Sequence, residues 1–351
     1  MGSDMRRAAA PPPLRLRVGD LVEVRSREEI LATLTPDGTL DELPFMPEML
    51  AFCGRRFAVD KRADKTCDTI KWTGLRRLVN TVHLAGTRCT GAAHGGCEAA
   101  CQIFWNEAWL RRVLTLDAPA AGSIERTAIA GVPEAALHAA TRQLATSAEG
   151  EILYRCQATD LLKFTSPLPS SDLRQYYRDV RSGNTTVGTT MKGIAWWLFK
   201  WSQANLRGHR LQNMLFNHMQ RIRGGMANIS LAGDKKKTPL LQLGLARGDR
   251  VQVRSAEEIR DTLNVEQRNR GLYFDKEMTP FCSGSYTVGS RVTKIIEETT
   301  GRMMKLPGDC LILEGVHCTG KYHKNCPRAS PSYWREIWLR RIDGDSSGGA
   351  R

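Results

Sequence analysis

Apolar and polar positions alternate from Val18 to Val24, behind a Gly19-Asp20 turn, and predict a strand. The period changes at Ser26. Ser26 reads as an N-cap, Glu28 and Glu29 fill the first turn, and Ile30, Leu31 and Leu34 share the apolar face of a short helix that Pro36-Asp37-Gly38 ends. Phe57–Val59, Leu78–Leu84 and Ile103–Val113 predict further strands. In the last of these Trp105, Glu107, Trp109 and Arg111 fall on one face. The pattern then returns: a strand at 249–253, a helix from Ser255 to Leu263, and strands near 286–292, 311–314 and 333–342.

The two stretches are one module written twice, at a constant offset of 229 residues (Gly19 to Gly248). Leu-Val-Glu-Val-Arg-Ser at 21–26 matches Arg-Val-Gln-Val-Arg-Ser at 250–255. Trp105, Glu107, Trp109 and Leu110-Arg111-Arg112 match Trp334, Glu336, Trp338 and Leu339-Arg340-Arg341. Short strands with one short helix in each copy suggest an SH3-like, partly open β-barrel. The segment between the copies is helical in pattern. Pro133–Ala145 and a helix after Ser171-Asp172, stopped at Ser182-Gly183-Asn184, precede a long candidate helix over Met191–Arg223. The expected fold is therefore α+β: a tail (1–13), a metal-binding β module (14–115), a helical connector (116–243), a second metal-binding β module (244–343) and a loose C-terminal tail (344–351).

The repeat acts as an alignment of two, and it sorts the ten cysteines. Cys53, Cys89, His94 and Cys97 recur as Cys282, Cys318, His323 and Cys326, in the pattern Cys … Cys-Thr-Gly-x-x-His-x-x-Cys. Three thiolates and an imidazole are the ligand set of a tetrahedral zinc site, so two zinc ions are expected. The competing reading is small buried cysteines in a tight core. Cys67 and Cys101 face Ile296 and Ser330, Cys310 faces Thr81, and Cys156 lies in the connector. With five cysteines in the first module, including Cys97-x₃-Cys101, an iron–sulfur cluster or a redox thiol pair there is the alternative. Were the metal catalytic, Glu48 with Glu277 and Glu107 with Glu336 are the matched candidate bases.

Composition narrows the class. Hydrophobic residues make up 41% and charged residues 25%, the balance of a chain that can bury a core. A net charge of +14 favours an acidic protein or nucleic acid as partner. The matched Arg62/Arg291, Lys65/Lys294 and Leu-Arg-Arg endings could supply the basic surface, or serve as solvated strand edges. Trp196, Trp197, Phe199 and Trp201 followed by arginines allow peripheral contact of 191–223 with an anionic membrane. No apolar run reaches the roughly 18 residues of a membrane span, and no secretory pattern opens the chain, so a cytoplasmic location with reduced thiols is expected.

No P-loop, dinucleotide fingerprint or nucleophile elbow occurs, which weighs against an enzyme. Three functions remain in order: a zinc-stabilised tandem-module scaffold for an acidic partner, a metal- or thiol-dependent accessory enzyme of a biosynthetic pathway, and a nucleic-acid-binding protein. The Phe-Cys-Gly at 52–54, the Cys-Thr-Gly-x-x-His-x-x-Cys loop and the Trp-x-Glu-x-Trp-Leu-Arg-Arg ending resemble a bacterial family that carries this module in tandem. The second copy departs from it with Phe-Cys-Ser at 281–283. The resemblance covers both modules and part of the connector, and it brings no activity with it.

Overall fold

The computed structural model describes residues 13–113, 132–144, 151–205, 214, 218 and 231–342. The fold is α+β with small sheets, and no closed barrel occurs among the described residues. In the first module, antiparallel strands stand in the order Trp105–Asn106, Thr81–Leu84, Arg56–Arg62, Leu21–Val24, Leu110–Arg112. The second repeats that order with Pro331–Trp334, Met303–His317, Ser285–Ile296, Arg250–Val253 and Leu339–Arg341. Register repeats as well: Val22 faces Phe57 and Arg112, and Val251 faces Tyr286 and Arg341, each at the 229 offset.

Local chemistry explains the elements. Ser26 and Ser255 each form a capping box with Glu29 and Glu258, which satisfies the first helical amides of Arg27–Leu31 and Ala256–Arg260. Gly183, left-handed at φ 83°, ends the Arg174–Ser182 helix where the sequence places its stop. The expected strand over Ile103–Val113 is interrupted. Asn106 caps Ala108 N–H, and Glu107–Trp109 winds into a 3-10 turn that buries both Trp105 and Trp109. Trp334 and Trp338 are buried in the same way around Glu336–Trp338. The tryptophans are core, packed edge-on against Phe45 and Phe274.

The matched charges are paired within the fold. Glu107 is buried, accepts Arg15 and Leu16 N–H, and takes Arg62; Glu336 accepts Leu243 and Gly244 N–H and takes Arg291 at 2.7 Å. The Leu-Arg-Arg arginines pair within their own modules: Arg111 with Glu29, Arg112 with Asp20, Arg340 with Glu258 and Arg341 with Asp249.

The chain divides into two units. Unit 1 is Met1–Asn184, Thr293–Leu306 and Thr319–Pro331; unit 2 is Thr185–Val292, Pro307–Cys318 and Ser332–Arg351. Unit 1 therefore includes two segments of the second repeat, and within it the copies make reciprocal contacts. Lys65 Nζ donates to the Lys324 carbonyl at 2.7 Å, and Lys294 Nζ donates to the Gly95 carbonyl at 2.9 Å. Cys67 N–H donates to Cys326 Sγ at 3.1 Å, and Ile296 N–H to Cys97 Sγ at 3.4 Å. Each pair maps onto the other by the 229 offset.

The connector contributes Glu134–Ala140, Arg174–Ser182 and Val187–Asn205 as helices, with short strands at Arg142–Leu144, Ile152–Tyr154 and Ser166–Leu168. The expected helix over 191–223 is described as far as Asn205; beyond it only residues 214 and 218 of that stretch lie among the described residues. No described helix is long and apolar enough to cross a membrane.

Candidate metal centre

The Cys89–Cys101 loop is shaped by a turn that only glycine fits. Gly91 has φ 71°, and a Cβ there would collide with the Cys97 carbonyl oxygen. Its own carbonyl accepts the N–H groups of His94 and Gly96, both at 2.9 Å, so the loop folds back on itself. Cys89 N–H donates to the Cys101 carbonyl at 2.9 Å and closes the far end. Gly320 has the same conformation in the second copy.

Glu48 meets this loop from the 3-10 helix Pro47–Phe52. Its Oε1 accepts Ala93 N–H at 3.0 Å and lies 2.7 Å from His94 Nδ1 and 4.0 Å from Cys89 Sγ. With the carboxylate as acceptor, Nδ1 is the donor of this bond, and Nε2 is the ring nitrogen left for a ligand. His94 is 1% exposed, and neither its Nε2 nor Glu48 Oε2 has a hydrogen-bond partner. Burial pushes the Glu48 carboxyl up, but the His94 ring and the backbone amides hold it below the ordinary glutamate range.

Glu48, Cys89 and His94 bring their ligand atoms within 4.8 Å of one another and form a candidate metal group. The second copy carries the same residue types at the matching sequence positions, Glu277, Cys318 and His323. Cys97 lies beside the first group in a cavity of about 40 Å³, lined also by Cys89, His94, Cys101 and Cys156. That volume suits an ion with a water or two. Cys156 reaches it because the next residue, Gln157, is clamped into the module. Gln157 Oε1 accepts Phe104 N–H, and its amide donates to the Pro44 and Phe104 carbonyls, each at 2.9 Å. Burial pushes the Cys101 thiol up to about 12 and the Cys156 thiol up to about 11, and raises Cys89 further. These thiols stay protonated until a metal displaces the proton.

Of the residues expected from sequence, Cys89 and His94 come together and Cys97 adjoins them. Cys53 ends the Pro47–Phe52 helix, near Arg27 and Glu28, outside the candidate group. Cys282 holds the matching place after Lys276–Phe281. Cys326 is buried beside Cys67, with its thiol lowered to about 6 by the Cys67 thiol and by backbone amides, against its burial. In the sequence Cys156 has no second copy to flag it, Cys101 enters only through the Cys97-x₃-Cys101 alternative, and Glu48 only as a candidate base. The matched Glu48/Glu277 pair was the available signal for the third member.

Comparison of the chain with protein-family models, with curated proteins and with solved structures finds no match.

Proposed function

We propose that the protein is a metal–thiolate scaffold, with a zinc-like ion bound in the first module by His94 Nε2, Cys89 and further thiolates of the Cys97, Cys101 and Cys156 set. The observation that carries this reading is His94. A buried imidazole held through Nδ1 by a carboxylate, with Nε2 unpartnered and the residue lining a cavity that four cysteines also line, fits a metal-ligating histidine and its supporting carboxylate. Sulfur-rich donors select zinc or another thiophilic ion over magnesium or calcium. Four cysteines around one cavity also keep the iron–sulfur alternative in view.

The role we assign the ion is structural. Its donors come from a loop of the first module and from the connector, so binding would staple the two in place of a larger core. The recurrence of these residue types at Glu277, Cys318 and His323 supports a second ion. An acidic partner remains part of the reading on net charge alone, since the matched arginines are engaged internally.

The test is metal analysis of the freshly purified chain beside Cys89→Ser and His94→Ala, with melting measured before and after chelation. We expect bound zinc in the parent, its loss from the first module in both variants, and a lower Tm after chelation. Less than half an equivalent of metal, with an unchanged Tm, would overturn the reading.

A further inference from the structure

Unit 1 holds a second group of thiols that the metal reading does not use. Cys67 ends the edge strand Lys65–Cys67, paired through Leu75 to the strand Leu75–Arg77. Its N–H has no strand to bond on that side and donates instead to Cys326 Sγ at 3.1 Å. The Cys326 sulfur also accepts the Cys67 thiol and the Arg328 N–H. The two cysteines pack together with Leu75 and Leu168 in a small apolar cluster. Cys326 is buried, whereas Cys67 is only half-buried. Below them the fully buried Arg328 bonds Thr69 Oγ1 at 2.6 Å and Glu298 at 2.9 Å, a fixed positive charge near both sulfurs.

The repeat supplies an internal control. The equivalent contact joins Ile296 N–H to Cys97 Sγ, so the same backbone geometry exists with isoleucine in place of Cys67. The fold does not need a thiol at that position. Both copies set a cysteine sulfur against that position, and only the first fills it with a second thiol.

We propose that Cys67 and Cys326 are a redox-active dithiol that exchanges with low-molecular-weight disulfides such as oxidised glutathione. Cys67, the less buried of the two, loses its thiol proton and attacks one sulfur of glutathione disulfide as the thiolate, forming a mixed disulfide and releasing one glutathione thiolate. The Cys326 thiolate then attacks Cys67 Sγ, closing the protein disulfide and expelling the second glutathione. The two protein thiols lose two electrons, glutathione disulfide gains them, and the two thiol protons pass to the released thiolates. Backbone N–H donors and the Arg328 charge favour Cys326 as the resolving thiolate. Cys67 N lies 3.1 Å from Cys326 Sγ and the Cys67 thiol bonds the same sulfur, so the two sulfurs are neighbours.

The experiment equilibrates the full-length, metal-loaded chain in glutathione buffers of graded oxidised-to-reduced ratio, quenches with acid, alkylates free thiols and maps them by peptide mass spectrometry. A Cys67–Cys326 disulfide should appear at a ratio about tenfold lower than any other pairing, with the bound metal retained. The variant Cys67→Ile, which copies the second repeat and so should fold, should leave Cys326 as a free thiol throughout. Alkylation of both cysteines across the whole range, or Cys67 trapped as a mixed disulfide that never closes, would overturn the proposal. Neither outcome touches the first-module metal reading, whose ligands are other residues.

Discussion

Lys65 is the most consequential side chain outside the metal centre, and replacing it by methionine tests how the copies are held together in unit 1. Its Nζ is buried, 2.6 Å from Asp179 Oδ2 and 2.7 Å from the Lys324 carbonyl, over the Tyr176 ring at 5.4 Å. Lys65→Met keeps the volume but leaves the Asp179 carboxylate, 4% exposed in its side chain, with only the Asn184 amide. A buried charge stripped of its partner costs about 3–5 kcal/mol. Burial already pushes the Asp179 carboxyl up against the pull of Lys65, so protonation absorbs part of the loss and about 3 kcal/mol is expected. The equivalent Lys294→Met removes a single bond to the neutral Gly95 carbonyl and should cost about 1 kcal/mol. Urea unfolding gives the overall change. Hydrogen exchange of peptides covering 56–67 and 174–182 assigns it to unit 1, since a two-unit chain need not unfold in one step. The double variant Lys65→Met/Asp179→Leu should recover at least half of the loss. Equal costs for Lys65→Met and Lys294→Met, or no recovery in the double variant, would refute the reasoning.

Three further outcomes follow from the same geometry. Trp105 Nε1 donates to Thr87 Oγ1 at 3.1 Å, whereas Val316 stands at the equivalent position and Trp334 Nε1 is buried without a partner. Thr87→Val should therefore destabilise unit 1 by about 1–3 kcal/mol in thermal or urea unfolding. Burial lowers the His83 imidazole from 6.5 to about 4, its Nδ1 bonded to the Ile103 carbonyl. The unfolded chain then binds the extra proton between those values, so stability is full above about pH 6.5 and falls by up to about 3 kcal/mol as pH drops to about 4. His83→Ile, the residue at the equivalent Ile312, should flatten that slope in unfolding measured from pH 4 to 7. Glu48→Gln should weaken metal binding by about 10–100-fold in competition with a chromophoric chelator, leaving the thiol ligands intact.

Much of this architecture is legible in the chain because its signals are local. Ser26 and Ser255 cap where the pattern changes period, Gly183 stops its helix, and the 229 offset survives as matching strand register. The alternation through Trp105, Glu107, Trp109 and Arg111 misleads for a physical reason. Glu107 points inward to bind Arg15, Leu16 and Arg62, and the chain takes a 3-10 turn to bury it with both tryptophans. The metal centre was half readable. Cys89 and His94 share one loop, but Glu48 comes from 46 residues upstream, and Cys156 from a segment with no second copy to flag it. Cys67 and Cys326 are 259 residues apart, and no periodicity relates them. Their link shows only when the reciprocal contact of Ile296 with Cys97 is in view.

The central claim is that His94 and buried cysteines share one ion, and X-ray absorption at the metal edge of the purified chain tests it most directly. The expected result is a zinc-edge spectrum with a dominant sulfur shell at about 2.3 Å and a nitrogen shell at about 2.0–2.1 Å, the latter lost in His94→Ala. A first shell of oxygen and nitrogen alone, or a spectrum unchanged by His94→Ala and Cys89→Ser, would contradict it.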